Sequence, residues 1–307
     1  MTRPAPGHRR ADEQRERTAA GRLLALLETF DERHPRLSLT DISRRSGLSL
    51  TTTHRLVGEL VAWGGLARHE GGSYTLGLRI FELGSLVPQG LHLREIATPF
   101  LGDLRIATRA NVHLGVRDGH DVLYLESLRA SDGAPVLSRV GGRWPLQSTG
   151  TGLILLANAD SDLQEEVLAG PLRRIGTGGV RDPDTLRRML GEIRVTGQAV
   201  IDSAINDGVV AVAVPIRGEK DAVVASVAVT VPSGTPVHTL VPALLTTARA
   251  ISRALGAPSA RAPGRAVQST PHIRPHAPAP RLGNRPGRRP GQADSAPDAD
   301  APSESEK

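Results

Sequence analysis

The stretch that decides the fold is Leu37–Gly84, LSLTDISRRSGLSLTTTHRLVGELVAWGGLARHEGGSYTLGLRIFELG. Ser38 followed by Asp41 has the spacing of a capping box, with Asp where Glu is usual, and predicts a helix over Leu39–Arg45. Gly47 breaks that helix, and Ser49 opens a second one that ends at Trp63-Gly64-Gly65. At 100° per residue, Leu50, Thr53, Leu56, Val57, Leu60 and Val61 share one side of the second helix. Thr51, Thr52, Arg55, Gly58 and Glu59 share the other. Leu66–Leu76 reads as a hairpin turning at Glu70-Gly71-Gly72, and Leu78–Leu86 as a short amphipathic helix leading away. A helix anchored by aliphatics that shows hydroxyls and a guanidinium outward has the shape that enters a major groove. The stretch therefore predicts a winged helix-turn-helix that binds specific double-stranded DNA.

The candidate DNA contacts follow from position. Ser49, Thr51, Thr52, Thr53, His54 and Arg55 lie at the start or along the recognition helix, Arg44 and Arg45 at the turn, and Arg68 on the wing. Thr52 suits a thymine methyl or a phosphate, and Arg55 suits guanine O6/N7 or a phosphate clamp. Arg44 and Arg45 suit phosphate better than bases. His54 lies about 80° from the apolar centre and fits either DNA contact or packing.

Working outward, 307 residues predict about two domains with length to spare. Hydrophobic residues make up 39% and aromatics 2%, so the cores are expected to be aliphatic. The absence of cysteine excludes disulfides, thiolate metal sites and cysteine nucleophiles. The N-terminus is polar and lacks the apolar core of a signal peptide, and no apolar run spans a bilayer. A soluble cytoplasmic protein without a membrane partner is the expectation. The net charge of +6 falls on residues 1–70 and on the stretch after residue 256, leaving the middle neutral. Basic ends suit phosphate attraction. The organisation predicted is a disordered basic arm over 1–19, the winged helix-turn-helix over 20–77, a linker helix over 78–90, a second domain over 91–256 and a disordered tail over 257–307.

The second domain reads as α+β. Helices are predicted at Leu93–Thr108, Thr149–Ala157, Asp184–Arg194 (opened by Asp182-Pro183) and Val237–Leu255. Strands are predicted at Val112–Val116, Val122–Leu125, Val136–Val140, Val209–Ile216 and Ala222–Val231. His113, Asp118, His120 and Asp121 gather around one turn, but Asp, Gly and His suit such a turn without a metal, and none is predicted. Nucleophile elbow, zinc-protease motif, Walker loop and dinucleotide fingerprint are all missing, so neither a cofactor nor an enzyme activity is expected. Gly176–Gly179 precedes a helix start instead of following a strand, which argues against a phosphate site.

Both domains, in order, resemble the IclR family of bacterial transcriptional regulators, from about Arg22 to Gly256. Ser46-Gly47-Leu48, Thr52–Leu56 and Tyr74–Gly77 carry the resemblance in the first domain. Val140–Gln147, Thr149–Ala157, Gly208–Ile216 and Ile251–Gly256 carry it in the second. The resemblance implies a GAF-like C-terminal domain that binds a small effector, often an organic acid, and a homodimer or dimer of dimers on a near-palindromic operator. Its effector positions carry over to Gly150, Thr151, Gly152, Asp202, Ala211, Ala228 and Thr230. A helix N-terminus at Gly150–Gly152 suits a carboxylate on its own account. Leu153 replaces a usual lysine, Ala211 a frequent cysteine, and Ala228 and Thr230 a pair of serines; only Asp202 and Asp207 remain of an acidic cluster. These departures fit a larger or less polar effector, or none, better than a small dicarboxylate. The function expected is an effector-modulated, sequence-specific transcriptional regulator. A low-specificity architectural DNA binder and an enzyme with autoregulatory DNA binding are the alternatives.

Overall fold

The computed structural model describes residues 18–261 apart from 132, 135–136, 173–179, 181 and 203–207. The predicted arm before residue 18, the tail after 261, Gly176–Gly179 and Asp207 lie outside the described residues. Helix α1 (Ala19–Leu27) opens on Thr18, whose hydroxyl accepts from the Gly21 amide. Ser38 Oγ caps α2 (Leu39–Ser46) by accepting from the Asp41 amide, as the spacing predicted, and its hydroxyl donates to the Asp41 carboxylate. Gly47, at φ 71°, ends α2 in the left-handed conformation that glycine adopts without strain. Ser49 then caps α3 (Leu50–Trp63).

Leu26, Leu37, Ile42, Leu56, Val57, Leu60, Leu66 and Tyr74 form the core beneath these helices. The wing is a hairpin of β2 (Leu66–Arg68) and β3 (Ser73–Leu76), and a two-residue strand that the sequence did not announce, β1 (Leu37–Ser38), pairs along β3. Gly77 ends the wing against the last turn of α3, where an added Cβ would lie 2.0 Å from the Gly64 carbonyl oxygen. Helix α4 (Leu78–Gly84) buries none of its residues. Helix α5 (Pro88–Thr108) begins at a proline suited to the first helical turn, so it starts ahead of the boundary expected at residue 91.

The second domain is a six-stranded antiparallel sheet, in the order β6-β5-β4-β9-β8-β7. Its strands are β4 (Asn111–Asp118), β5 (Asp121–Leu128), β6 (Arg143–Pro145), β7 (Ala199–Asp202), β8 (Val209–Arg217) and β9 (Val223–Pro232). Alternation gives the sheet two buried faces. Val112, Leu114, Val212, Val214, Val227 and Val229 pack with α5 and with α9 (Val241–Ala254). Val122, Tyr124, Ala199, Ile201, Ala213 and Ala228 pack against α6 (Gly150–Ala157) and α8 (Pro183–Thr196). The α+β expectation holds, with helices on both sides of one sheet.

Three local readings are corrected. Residues 137–140 of the expected strand Val136–Val140 are not extended into a ladder; Gly141, at φ 75°, turns the chain, and the edge strand forms later as β6. Helix α7 (Ser161–Ala169), capped by Asp160, and strand β7 were not read from the sequence. The predicted Val237–Leu255 helix is a 3-10 turn over Val237–Thr239 followed by α9, whose Pro242 stands in the first turn.

Candidate nucleic-acid interface and effector site

On α3, Thr51, His54 and Arg55 are exposed and Thr52 is half-buried. His54 therefore faces solvent and does not pack. Arg55 pairs with Glu59 one turn on, an i,i+4 pair across an exposed face. Ser49 Oγ donates to Thr52 Oγ1 at 2.9 Å, fixing that hydroxyl at the helix start. Thr53 is corrected: it is 0% exposed and stands with Leu56, Val57 and Leu60 in the core, so it cannot reach DNA. Its place on the inward side already followed from the helical angle.

The two turn arginines part company. Arg44 extends into solvent and pairs with Asp41 at 2.7 Å. Arg45 donates through Nε to the Thr29 carbonyl at 2.8 Å and through Nη2 to Asp31 at 2.6 Å. It is a strut between α2 and the end of α1, which leaves Arg44 the more exposed of the two. Arg68 is exposed on the wing.

In the second domain the resemblance-derived positions converge on the α6 face. Ala211 of β8 is the direct partner of Thr230 on β9, and Ala228 is the partner of both Ala213 and His113. All eight residues of α6 are buried. Gly150 sits on β8, where a Cβ would meet Ala213 Cβ at 3.4 Å and Ala211 Cβ at 3.7 Å. At Gly152 a Cβ would fall 2.2 Å from the Leu146 carbonyl oxygen, so only glycine fits there. Thr149 caps the helix by accepting from the Gly152 amide at 2.8 Å, which removes one of the N–H groups that the helix start offers an anion. Asp202 closes β7 opposite Val210, with the parity of Val200, which belongs to the α5–α9 face. It is not brought onto the α6 face with the others.

His113, read from the sequence only as part of a turn cluster, lies on the same face. The register of β4 on β5 shifts between Leu114 and Gly115, so Gly115 opposes Tyr124 while His113 opposes Ser127. This bulge re-aims the residues beyond it. Ser127 comes onto the α6 face beside His113, and Glu126 turns toward α5, where Arg94 Nε binds it at 3.0 Å. Ser127 Oγ donates to the Ser138 carbonyl at 3.1 Å, and His113 Nδ1 lies 3.1 Å from Ser127 Oγ. Burial, with the charge of Arg129 adding to it, holds the His113 imidazole down to about 4. Burial also pushes the Tyr124 phenol up, against hydrogen bonds with Thr151, Thr149 and Ser138. The signal that was available was alternation, since His113 stands between two residues of the opposite face, Val112 and Leu114. Of the residues grouped with it at that turn, His120 pairs with Glu166 and Asp118 with Arg143.

The family model described as the IclR helix-turn-helix domain matches residues 19–70, and the one described as bacterial transcriptional regulator IclR C-terminal matches residues 86–254. The HTH-type transcriptional regulator XynR of Escherichia coli is 30% identical over 207 residues, covering 67% of this chain and 82% of that protein. The p-hydroxybenzoate hydroxylase transcriptional activator of Acinetobacter baylyi is 29% identical over 212 residues, covering 66% and 77%. Among solved structures, an IclR homologue from Microbacterium hydrocarbonoxydans complexed with 4-hydroxybenzoate superposes with a TM-score of 0.73 at 35% identity, covering 76% of this chain and 97% of that one. A winged helix-turn-helix joined to a sheet domain of this order, matched by both family models in sequence, has the architecture of an effector-modulated, DNA-binding transcriptional regulator. The chain belongs to the IclR family of bacterial transcriptional regulators.

Proposed function

We propose that this regulator reads a near-palindromic operator as a homodimer, or as a dimer of dimers. In this reading Thr51, Thr52, His54 and Arg55 lie in the major groove, with Ser49 at the helix start, while Arg44 and Arg68 hold phosphate. The observation that carries it is the division of α3, whose aliphatic side is locked in a core while its hydroxyl and guanidinium side is bare. Dimerisation is supported by α4, which leaves Leu78 79% and Phe81 74% exposed between the two domains.

The effector sits on the α6 face, over Gly150, Thr151, Ala211, Ala228 and Thr230. Alanines at Ala211, Ala213 and Ala228 make this face apolar, which suits an aromatic organic acid of the hydroxybenzoate class. The Microbacterium relative holding 4-hydroxybenzoate supports that class. The protein acts by binding and not by catalysis, in the cytoplasm; among the described residues no helix is long and apolar enough to cross a membrane.

Selection from a random oligonucleotide pool, followed by footprinting with and without 4-hydroxybenzoate, tests the reading. The expected result is one enriched inverted repeat whose protection changes with the acid. No enrichment of any sequence would overturn the operator reading, and protection indifferent to every metabolite tried would overturn the effector reading.

A further inference from the structure

Among the described residues, one buried nitrogen on the α6 face has no hydrogen-bond partner, His113 Nε2, in a residue only 2% exposed. It lies beside one ring. The His113 and Tyr124 centroids are 5.5 Å apart, and Thr151 packs over Gly115, where a Cβ would lie 2.8 Å from Thr151 Cγ2 and 3.4 Å from Tyr124 Cδ1. His113 and Gly115 are alternate residues of β4, so His113 and Thr151 stand over neighbouring positions of one sheet face.

The tautomer of His113 follows from its neighbours. Ser127 has one hydroxyl proton and gives it to the Ser138 carbonyl, so its oxygen can only accept from His113 Nδ1. With the imidazole kept neutral near pH 7, the proton rests on Nδ1 and Nε2 is a bare lone pair. A carboxylate placed there would set acceptor against acceptor. An O–H or N–H would fill it.

We propose that His113 determines effector specificity by accepting a hydrogen bond at Nε2 from a hydroxyl or N–H donor of the effector. The ligand class is then a hydroxylated (or N–H-bearing) aromatic acid that enters the His113–Tyr124 end donor first, its carboxylate lying elsewhere. This rests on the reading that the α6 face holds the effector.

Calorimetric titration of the full-length protein with 4-hydroxybenzoate and with benzoate, which differ in one hydroxyl, tests the proposal. The expected result is binding of 4-hydroxybenzoate about tenfold tighter or more, because benzoate leaves a buried acceptor unpaired. His113→Phe should bring the two affinities within about twofold. Equal affinities in the wild type, or a preference that survives in His113→Phe, would overturn the proposal and leave the effector reading standing. If neither acid binds, the hydroxybenzoate class falls and the proposal with it.

Should His113→Phe fail to fold, nitrogen NMR of histidine-labelled wild type gives the answer. Nε2 should be unprotonated in the free protein and should shift when 4-hydroxybenzoate is added. A protonated Nε2, or one indifferent to the acid, would overturn the proposal.

Discussion

Arg139 Nε lies 3.1 Å from Glu32 Oε2, joining the loop before β6 to the loop between α1 and β1. The carbonyl of the preceding residue, Ser138, accepts from Ser127, which in turn meets His113. A contact path therefore runs from the α6 face of the sheet to the DNA-binding domain without passing through α4. Both side chains of the ion pair are well exposed, so it contributes less than about 1 kcal/mol to stability. Its role is geometric.

Arg139→Ala should accordingly leave the melting temperature almost unchanged while weakening the effect of effector on operator affinity. The coupling is reciprocal, so operator DNA should also change effector affinity less in the variant than in the wild type. Fluorescence anisotropy of labelled operator across an effector titration measures it. An undiminished response in Arg139→Ala would show that α4 alone carries the signal.

Thr52→Ala combined with Arg55→Ala should abolish the preference for operator over scrambled DNA, each lost base contact costing about 1–3 kcal/mol. Thr53→Val should do the reverse. It removes a buried hydroxyl that has no partner among the described residues, so it should stabilise the fold by about 1 kcal/mol and leave operator preference intact. Competition gel shifts and thermal melts of the same samples separate these outcomes.

The buried imidazole sets a pH dependence. With a folded value of about 4 against 6.5 for a free side chain, His113 takes up its proton more readily in the unfolded chain. Stability is therefore full above about pH 6.5 and declines as the pH falls toward 4, by at most about 3 kcal/mol. Hydrogen bonds that hold Asp41 and Asp182 below their usual 3.8 act only at still lower pH. Denaturant titrations between pH 7 and 4 should show a slope that His113→Phe removes.

Gly152→Ala drives a methyl into the backbone oxygen of Leu146, which cannot rotate away. A loss of about 3 kcal/mol is expected. The cheaper neighbour Gly150→Ala, with its nearest contact at 3.4 Å, should lose much less. Chemical denaturation of the pair checks the contrast.

Phe81→Glu should shift the protein toward monomer in sedimentation velocity without lowering its melting temperature, since α4 buries no residue within its own chain. An unaltered sedimentation coefficient would move the dimer contact off α4.

Local chemistry made much of the fold legible from residues alone. Ser38 with Asp41, Ser49, and Asp182 with Pro183 start helices through hydrogen bonds that span three residues, and such bonds form wherever the sequence places them. The split of α3 into an inner and an outer side was readable for the same reason, and it had already placed Thr53 inside.

The site chemistry of the second domain was not readable in this way. Whether Arg45 touches DNA depends on Asp31 and the Thr29 carbonyl, reached from another helix. Whether Ser127 faces His113 depends on a one-residue register shift between two strands, which reverses every side chain beyond it.

The sequence by itself determined that this is a winged helix-turn-helix followed by an α+β domain, because caps, turns and apolar periods act over a few residues. Only the tertiary structure decided which polar groups meet on the α6 face and which are left bare there. Cross-strand register and interdomain contacts are set by packing across distances that no local pattern encodes.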